Sequence, residues 1–239
     1  MNLLLLHPAE LDADQRFQLP ASDRRAQHLL RILKLEVGAQ IGAGVLNGLM
    51  GTATLVSKDS STLIFLAELT VPAPPPLELT LIIGLPRPKM LRRIIQSIAS
   101  LGVKEIILLN TYKVEKSYWQ SPWLQTEQLQ RQCLLGLEQA RDTQLPEIHQ
   151  YKLFKPFVED VLPQLTKHRD AWFAHPGVTE AIPKGSANMI LAIGPEGGFT
   201  PYEVEKLGES GMQGFHIGNR ILRVETVIPA LIGHFFFSY

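Results

Sequence analysis

Met189-Ile190-Leu191-Ala192-Ile193-Gly194-Pro195-Glu196-Gly197-Gly198-Phe199-Thr200-Pro201-Tyr202-Glu203 decides the fold of this chain. The uncharged apolar run Met189–Ile193 reads as a buried strand. Gly194, Pro195, Gly197 and Gly198 then break the pattern, so 194–199 reads as a loop. Thr200-Pro201-Tyr202-Glu203 has the form of a capping box with proline at the first helical position, and predicts a helix over Tyr202–Glu209. A strand that enters a helix through a glycine-rich loop is a unit of α/β architecture. It also lets backbone N–H groups approach a ligand closely. A plain tight turn would use the same residue types; the adjacent glycines and the Glu196 carboxylate favour a site.

The alternation continues on both sides. Leu79–Leu85 reads as an apolar strand. Pro88 opens a helix whose Leu91, Ile94, Ile95, Ile98 and Leu101 share one face, with Gly102 just past its end. Strand Glu105–Leu109, helix Glu127–Gln139, strand Ile148–Leu153, helix Phe157–Leu165 and strand Ala171–Ala174 follow. Strand Gly214–Ile217 and a last helix near Val227–Phe235 close the series. This pattern predicts a largely parallel sheet covered on both faces. Ligands in such folds bind beyond the carboxyl ends of the strands.

Toward the N-terminus the pattern stops at Thr70-Val71-Pro72-Ala73-Pro74-Pro75-Pro76, which suits neither a helix nor a central strand and reads as a stiff linker. Before it, Gln40–Leu46, Thr52–Ser57 and Thr62–Leu69 are short β-rich runs separated by turn residues. One helix is expected from Ser22 or Asp23 to a point before Gly38. Residues 1–73 therefore predict a small β-barrel with one helix, an accessory binding domain, and 74–239 an α/β domain.

The 239 residues hold 23 Lys plus Arg and 23 Asp plus Glu, a net charge of zero. Six of the basic and seven of the acidic residues precede the linker, so neither part is basic overall. This argues against a histone-like binder but leaves room for a local basic face. Cys133 is the single cysteine and rules out an internal disulfide framework. It sits in a helical pattern and reads as a core residue. The apolar run Leu3–Leu6 is too short for a signal segment or a membrane span, and the reading is a soluble cytoplasmic protein.

Two further loops carry chemistry-bearing residues. His216-Ile217-Gly218-Asn219-Arg220-Ile221-Leu222-Arg223-Val224-Glu225-Thr226 follows the last strand and crowds Arg220, Arg223 and Glu225 among apolar residues that call for burial. His175-Pro176-Gly177 ends the strand Ala171–Ala174. No GxxxxGK, HExxH or GxSxG motif occurs, and Gly42, Gly44 and Gly48 lack dinucleotide-loop spacing. The seven histidines are scattered, so no metal site is expected. Arg24, His28 and Arg31 share one face of the first helix, with Ala26, Leu29, Leu30 and Leu33 toward the other. Arg87, Lys89, Arg92 and Arg93 surround the start of a second helix, with Lys113 and Lys116 after the next strand. Solvated charged faces are ordinary; concentrated on a neutral protein, they also suit phosphate contact.

Through Ile193–Phe199 and Gly218–Thr226, in that order near the C-terminus, the sequence resembles the small-subunit ribosomal RNA uracil-N3 methyltransferases of the SPOUT class. His28-Leu29-Leu30-Arg31-Ile32-Leu33-Lys34 and Lys89 through Gly102-Val103 match less closely. The resemblance implies a PUA-like RNA-binding barrel and a C-terminal α/β domain with a trefoil knot. It implies S-adenosylmethionine as cofactor, ribosomal RNA or the small ribosomal subunit as partner, and a homodimer with the RNA site between subunits. The cofactor would be held by three loops: His175 and Pro176; Ile193, Gly194, Glu196 and Gly197; and Ile217, Gly218, Ile221, Leu222, Arg223 and Thr226. Arg24, Arg25, His28, Arg31 and Lys34 in the first part, and Lys89, Arg92, Arg93 and Lys113 in the second, would face RNA.

Several positions depart from that family's pattern. Ser100 stands where Glu precedes Leu-Gly, Lys34 and Lys113 stand where Arg is usual, and Glu138–Asp142 replaces a Gln-x-Gly-Arg segment. The cofactor loops match and the RNA-facing positions drift. Rival readings are the same chemistry on another nucleotide and a non-catalytic RNA-binding relic. For the reaction, Arg223 would stabilise charge developing on the base. Glu225 would position that arginine or accept a proton, or the two would form a purely structural pair.

Overall fold

The computed structural model describes residues 2–183 and 188–237. Two compact units form: residues 1–75 with 133–145, and residues 76–132 with 146–239. The chain passes between them inside the proline run and again at Gln132–Cys133 and Leu145–Pro146. Composition carries no sign of the later crossings.

The first unit is a five-stranded sheet in the order β1 (Leu4–Leu6), β3 (Gln40–Val45), β4 (Met50–Lys58), β5 (Thr62–Val71) and β2 (Arg16–Pro20). Only β1 and β3 run parallel. Among the described residues β1 and β2 are not paired with each other, so the sheet is a half-barrel. The sequence pattern marks neither edge strand. β1 is only three residues long, and β2 ends in a proline. β2 nevertheless alternates exposed and buried positions, sending Phe17 and Leu19 inward. Phe17 lies directly opposite Phe65 of β5, with ring centroids 4.9 Å apart.

Helix α1 (Arg24–Arg31) is shorter than expected. Asp23 caps its start by accepting from the Arg25 N–H. Lys34 adopts a left-handed φ of 48°, and the Leu35 N–H closes back on the Leu29 carbonyl. Ile32 and Leu33 are thereby turned to solvent, and Leu33 does not join the apolar face as its spacing suggested. The unit is completed from a distant part of the chain: Leu137 packs on Leu3 and Leu5.

The second unit carries a six-stranded, all-parallel sheet in the order β11, β9, β10, β6, β7, β8. These strands are β6 (Leu77–Gly84), β7 (Val103–Leu109), β8 (Glu147–Tyr151), β9 (Asp170–Ala174), β10 (Met189–Ile193) and β11 (Gln213–Phe215). β10 is buried throughout, as expected of a central strand covered on both faces. Helix α2 (Pro88–Ser100) buries Leu91, Ile94, Ile95 and Ile98, the face its spacing predicted. Helix α3 (Thr126–Ala140) begins in this unit and ends in the first, to which its buried Cys133 belongs. Between β8 and β9 the helical stretch is α4 (Phe154–Pro156), a π-turn at Phe157–Val161, and α5 (Leu162–Thr166). Helices α6 (Pro201–Glu209) and α7 (Val224–Phe236) complete the unit. The Thr200–Glu203 capping box forms as read. No helix among the described residues is long and apolar enough to cross a membrane.

Candidate functional site

The strand order determines where the site lies. β11, β9 and β10 are neighbours and run parallel, so the loops after Phe215, Ala174 and Ile193 leave the sheet side by side. They enclose a hollow of about 330 Å³, within the range of small-molecule sites. His175 and Pro176 line it from the first loop, and Ile193, Gly194, Glu196 and Gly197 from the second. Ile217, Gly218, Ile221, Leu222 and Arg223 line it from the third. Thr226 does not: it lies in the first turn of α7, where its N–H bonds the Arg223 carbonyl. Pro195, His216, Arg220 and Val224 also face the hollow. They lie within the loop segments that the sequence marked, but nothing separated them from their neighbours.

The glycine-rich loop is held from several sides. Gly84 ends β6 beside it, and a Cβ there would fall 2.6 Å from the Pro195 nitrogen. Glu196 accepts the Arg87 N–H at the start of α2 at 3.0 Å. Lys113 donates to the Gly197 carbonyl at 2.6 Å. His175 Nδ1 accepts from the Gly177 N–H at 3.0 Å, which puts the ring proton on Nε2, 3.3 Å from the Phe199 carbonyl. The Gly197 and Phe199 carbonyls are held through the loop backbone, and Glu196 adds a tie through its own carboxylate.

Arg223 stands at the rim, with its side chain 85% exposed. Its guanidinium is 3.9 Å from Glu225, a loose pair. Glu225 does not line the hollow. It faces a smaller cavity between α2 and α7 together with Arg93 and Ile228.

The basic residues divide by role. Arg24 pairs with the buried Glu138. His28 is half-buried; Arg31 and Lys34 are exposed at the end of α1. Arg25, expected at an RNA face, is instead part of the fold. Its Nε and both terminal nitrogens donate to Asp23, Glu10 and the Leu5 carbonyl, which uses all five guanidinium N–H groups and leaves none for a phosphate. Burial works against the charge of Arg25, but its bonds to Glu10 and Asp23 outweigh burial and raise its pKa. In the second unit Lys89, Arg92 and Arg93 are exposed, and the Arg92 guanidinium lies 4.0 Å over the ring of Trp123. Lys113 points to the glycine-rich loop.

These walls fit a flat, partly apolar ligand with a polar tail. Ile193, Ile217, Ile221 and Leu222 supply apolar surface, and the loop backbones supply donors and acceptors. At Gly218, with φ +98°, nothing lies within 4 Å of where a Cβ would stand, so the chain there borders open space. Among the described residues no cluster of His, Cys, Asp and Glu is arranged to hold a metal ion.

Comparisons agree on one family. Residues 73–235 match the family model of the RNA methyltransferase domain. The chain is 33% identical to ribosomal RNA small subunit methyltransferase E of Treponema pallidum, over 87% of this chain and 80% of that one. It is 28% identical to ribosomal RNA small subunit methyltransferase E 1 of Borreliella burgdorferi, over 96% and 95%. A Legionella pneumophila chain solved with bound SAM shares the fold, with a TM-score of 0.74 at 24% identity, over 97% of this chain and 96% of that one. With a matched domain spanning most of the second unit and a relative aligned through both units, the chain belongs to the ribosomal RNA small subunit methyltransferase E family.

Proposed function

We propose that this protein transfers a methyl group from S-adenosylmethionine to N3 of a uridine in small-subunit ribosomal RNA. One observation carries the reading: three loops from adjacent parallel strands meet in a single hollow, with an exposed arginine at its rim. Family membership supports the RNA substrate and the chemistry. The finer architecture belongs to the same reading: a PUA-like half-barrel, a SPOUT domain with its C-terminal segment knotted, and a cytoplasmic homodimer.

The cofactor brings an electrophilic sulfonium methyl when bound. The remaining work falls to this chain. The backbone of 193–198 and 217–222 holds the ligand, and the apolar side chains exclude water around it. Proximity and alignment supply much of the barrier reduction. The imide proton at uracil N3 is weakly acidic, so the base must lose it and the resulting charge must be stabilised. Arg223 is placed to do the latter. Glu225 lies outside the hollow and 3.9 Å from Arg223, and in this reading its part is to position the guanidinium.

Nucleoside mass spectrometry of small-subunit ribosomal RNA, from cells with and without the gene, tests the reading. Loss of 3-methyluridine on deletion is expected. Unchanged 3-methyluridine would refute it.

A further inference from the structure

A second hollow, of about 860 Å³, lies at the carboxyl ends of β7 and β8 and beside the first turn of α6. The methyl-transfer site does not use it. Its composition differs from that of the first. Tyr112, Trp119 and Phe154 offer aromatic surface, while Lys116, Lys152 and Lys155 supply cations. Trp119 is held in place, its Nε1 donating to Asn110 Oδ1 at 2.7 Å, and the Lys152 Nζ lies 6.0 Å from its ring centre. Tyr112 is 85% exposed, an unusual position for a large ring, yet its backbone is anchored because its N–H donates to the buried Glu203 at 2.7 Å. Thr111, at the wall, is only 2% exposed, and its hydroxyl has no hydrogen-bond partner in the protein.

Aromatic faces among lysines are the chemistry of single-stranded nucleic acid recognition: bases stack on the rings and ammonium groups meet the phosphates. We propose that this hollow receives an unstacked nucleotide of the RNA that flanks the methylated base, with its base against Tyr112 and Trp119 and its phosphates at Lys116, Lys152 and Lys155. The proposal rests on the reading of RNA as substrate. The two hollows are related through Lys113. The β7–α3 loop that carries Tyr112 also sends Lys113 to the Gly197 carbonyl of the first hollow. A nucleotide seated here is therefore held by the same loop that braces the cofactor site.

The test uses the full chain and a hexauridylate carrying one 4-thiouridine. Photocrosslinks are expected at Tyr112 or Trp119, located by mass spectrometry of the digest. Tyr112→Ala should weaken hexauridylate binding at least about fivefold, the low end for loss of one stacked base. Lys116→Gln, Lys152→Gln and Lys155→Gln together should flatten the salt dependence by about two units of log–log slope. S-adenosylmethionine affinity by calorimetry should stay the same in both variants, which also reports that they fold. Crosslinks confined to other segments, or unchanged affinity and slope in the variants, would overturn the proposal alone. If the unaltered chain fails to bind hexauridylate, the proposal falls together with the RNA reading.

Discussion

Lys113 Nζ lies 2.6 Å from the carbonyl oxygen of Gly197, a bond that joins the loop after β7 to the loop after β10. A Cβ at Gly197 would fall 2.8 Å from the Lys113 Cδ, so any side chain there displaces the lysine stem. Gly197→Val should therefore lose S-adenosylmethionine affinity at least about tenfold by calorimetry, through blocked approach and a released loop. Lys113→Met keeps the stem and removes only the bond, and should show a smaller, few-fold loss. Equal affinity in Gly197→Val and the unaltered chain would remove this loop from the cofactor site.

Arg223 is exposed and only loosely paired, so its removal should leave the fold intact. Arg223→Ala should lower single-turnover methyl transfer about 100-fold, the effect of losing one charge-stabilising donor. Cofactor affinity should change little. Parallel losses in rate and affinity would mean that the residue binds the cofactor and does not stabilise the reacting base.

Arg25 should behave as a folding residue. Its side chain is 14% exposed, and Glu10 and Asp23, its partners, are 30% and 23% exposed. Arg25→Ala strands both carboxylates and should cost about 2–3 kcal/mol in urea unfolding. Its RNA affinity, measured where the variant is still folded, should match the parent. Arg31→Gln with Lys34→Gln should do the reverse, leaving stability alone and flattening the salt slope of RNA binding by roughly 0.7–0.9 unit for each phosphate no longer neutralised.

The same cluster sets an acid limit. Burial pushes the Glu10 carboxyl up, but hydrogen bonds from Arg25 and from the His7 N–H outweigh it and hold the group below its ordinary 4.5. The Arg25 hydrogen bond, aided by the Arg25 N–H, holds Asp23 below its ordinary 3.8. A carboxylate with a lowered pKa stabilises the fold above its unfolded value and loses that contribution as pH falls through the folded one. Urea midpoints should decline below about pH 4.5, and Arg25→Ala should show a shallower decline over that range.

Much of the second unit could be read from sequence because its strands are long, apolar and central. Met189–Ile193 and the α2 face needed only periodicity. The first unit was harder. β1 is three residues long, and α1 stops at Arg31 ahead of a left-handed Lys34 that no helix-stop rule flags, because lysine is a good helix former. Arg25 shows a different limit: a guanidinium on a helix looks the same in sequence whether it faces solvent or, as here, Glu10 and Leu5. The cofactor loops were visible because each is contiguous. The second hollow was not, since the loop that carries Tyr112 and Trp119 meets Lys152 and Thr200 only through the strand order.

Gly84 has a consequence for how such a protein can change. The backbone of Pro195 occupies the space a side chain would need, so the support behind the glycine-rich loop tolerates a single amino acid at that position. On the opposite rim Ile221 and Leu222 are exposed and have room to vary in size, while Arg223 is held by its role at the reacting base. Directed evolution toward a new target base should therefore accumulate its substitutions on that rim and leave Gly84 untouched. In a saturation library the two regions should separate cleanly, one intolerant of every replacement and the other a dial for specificity.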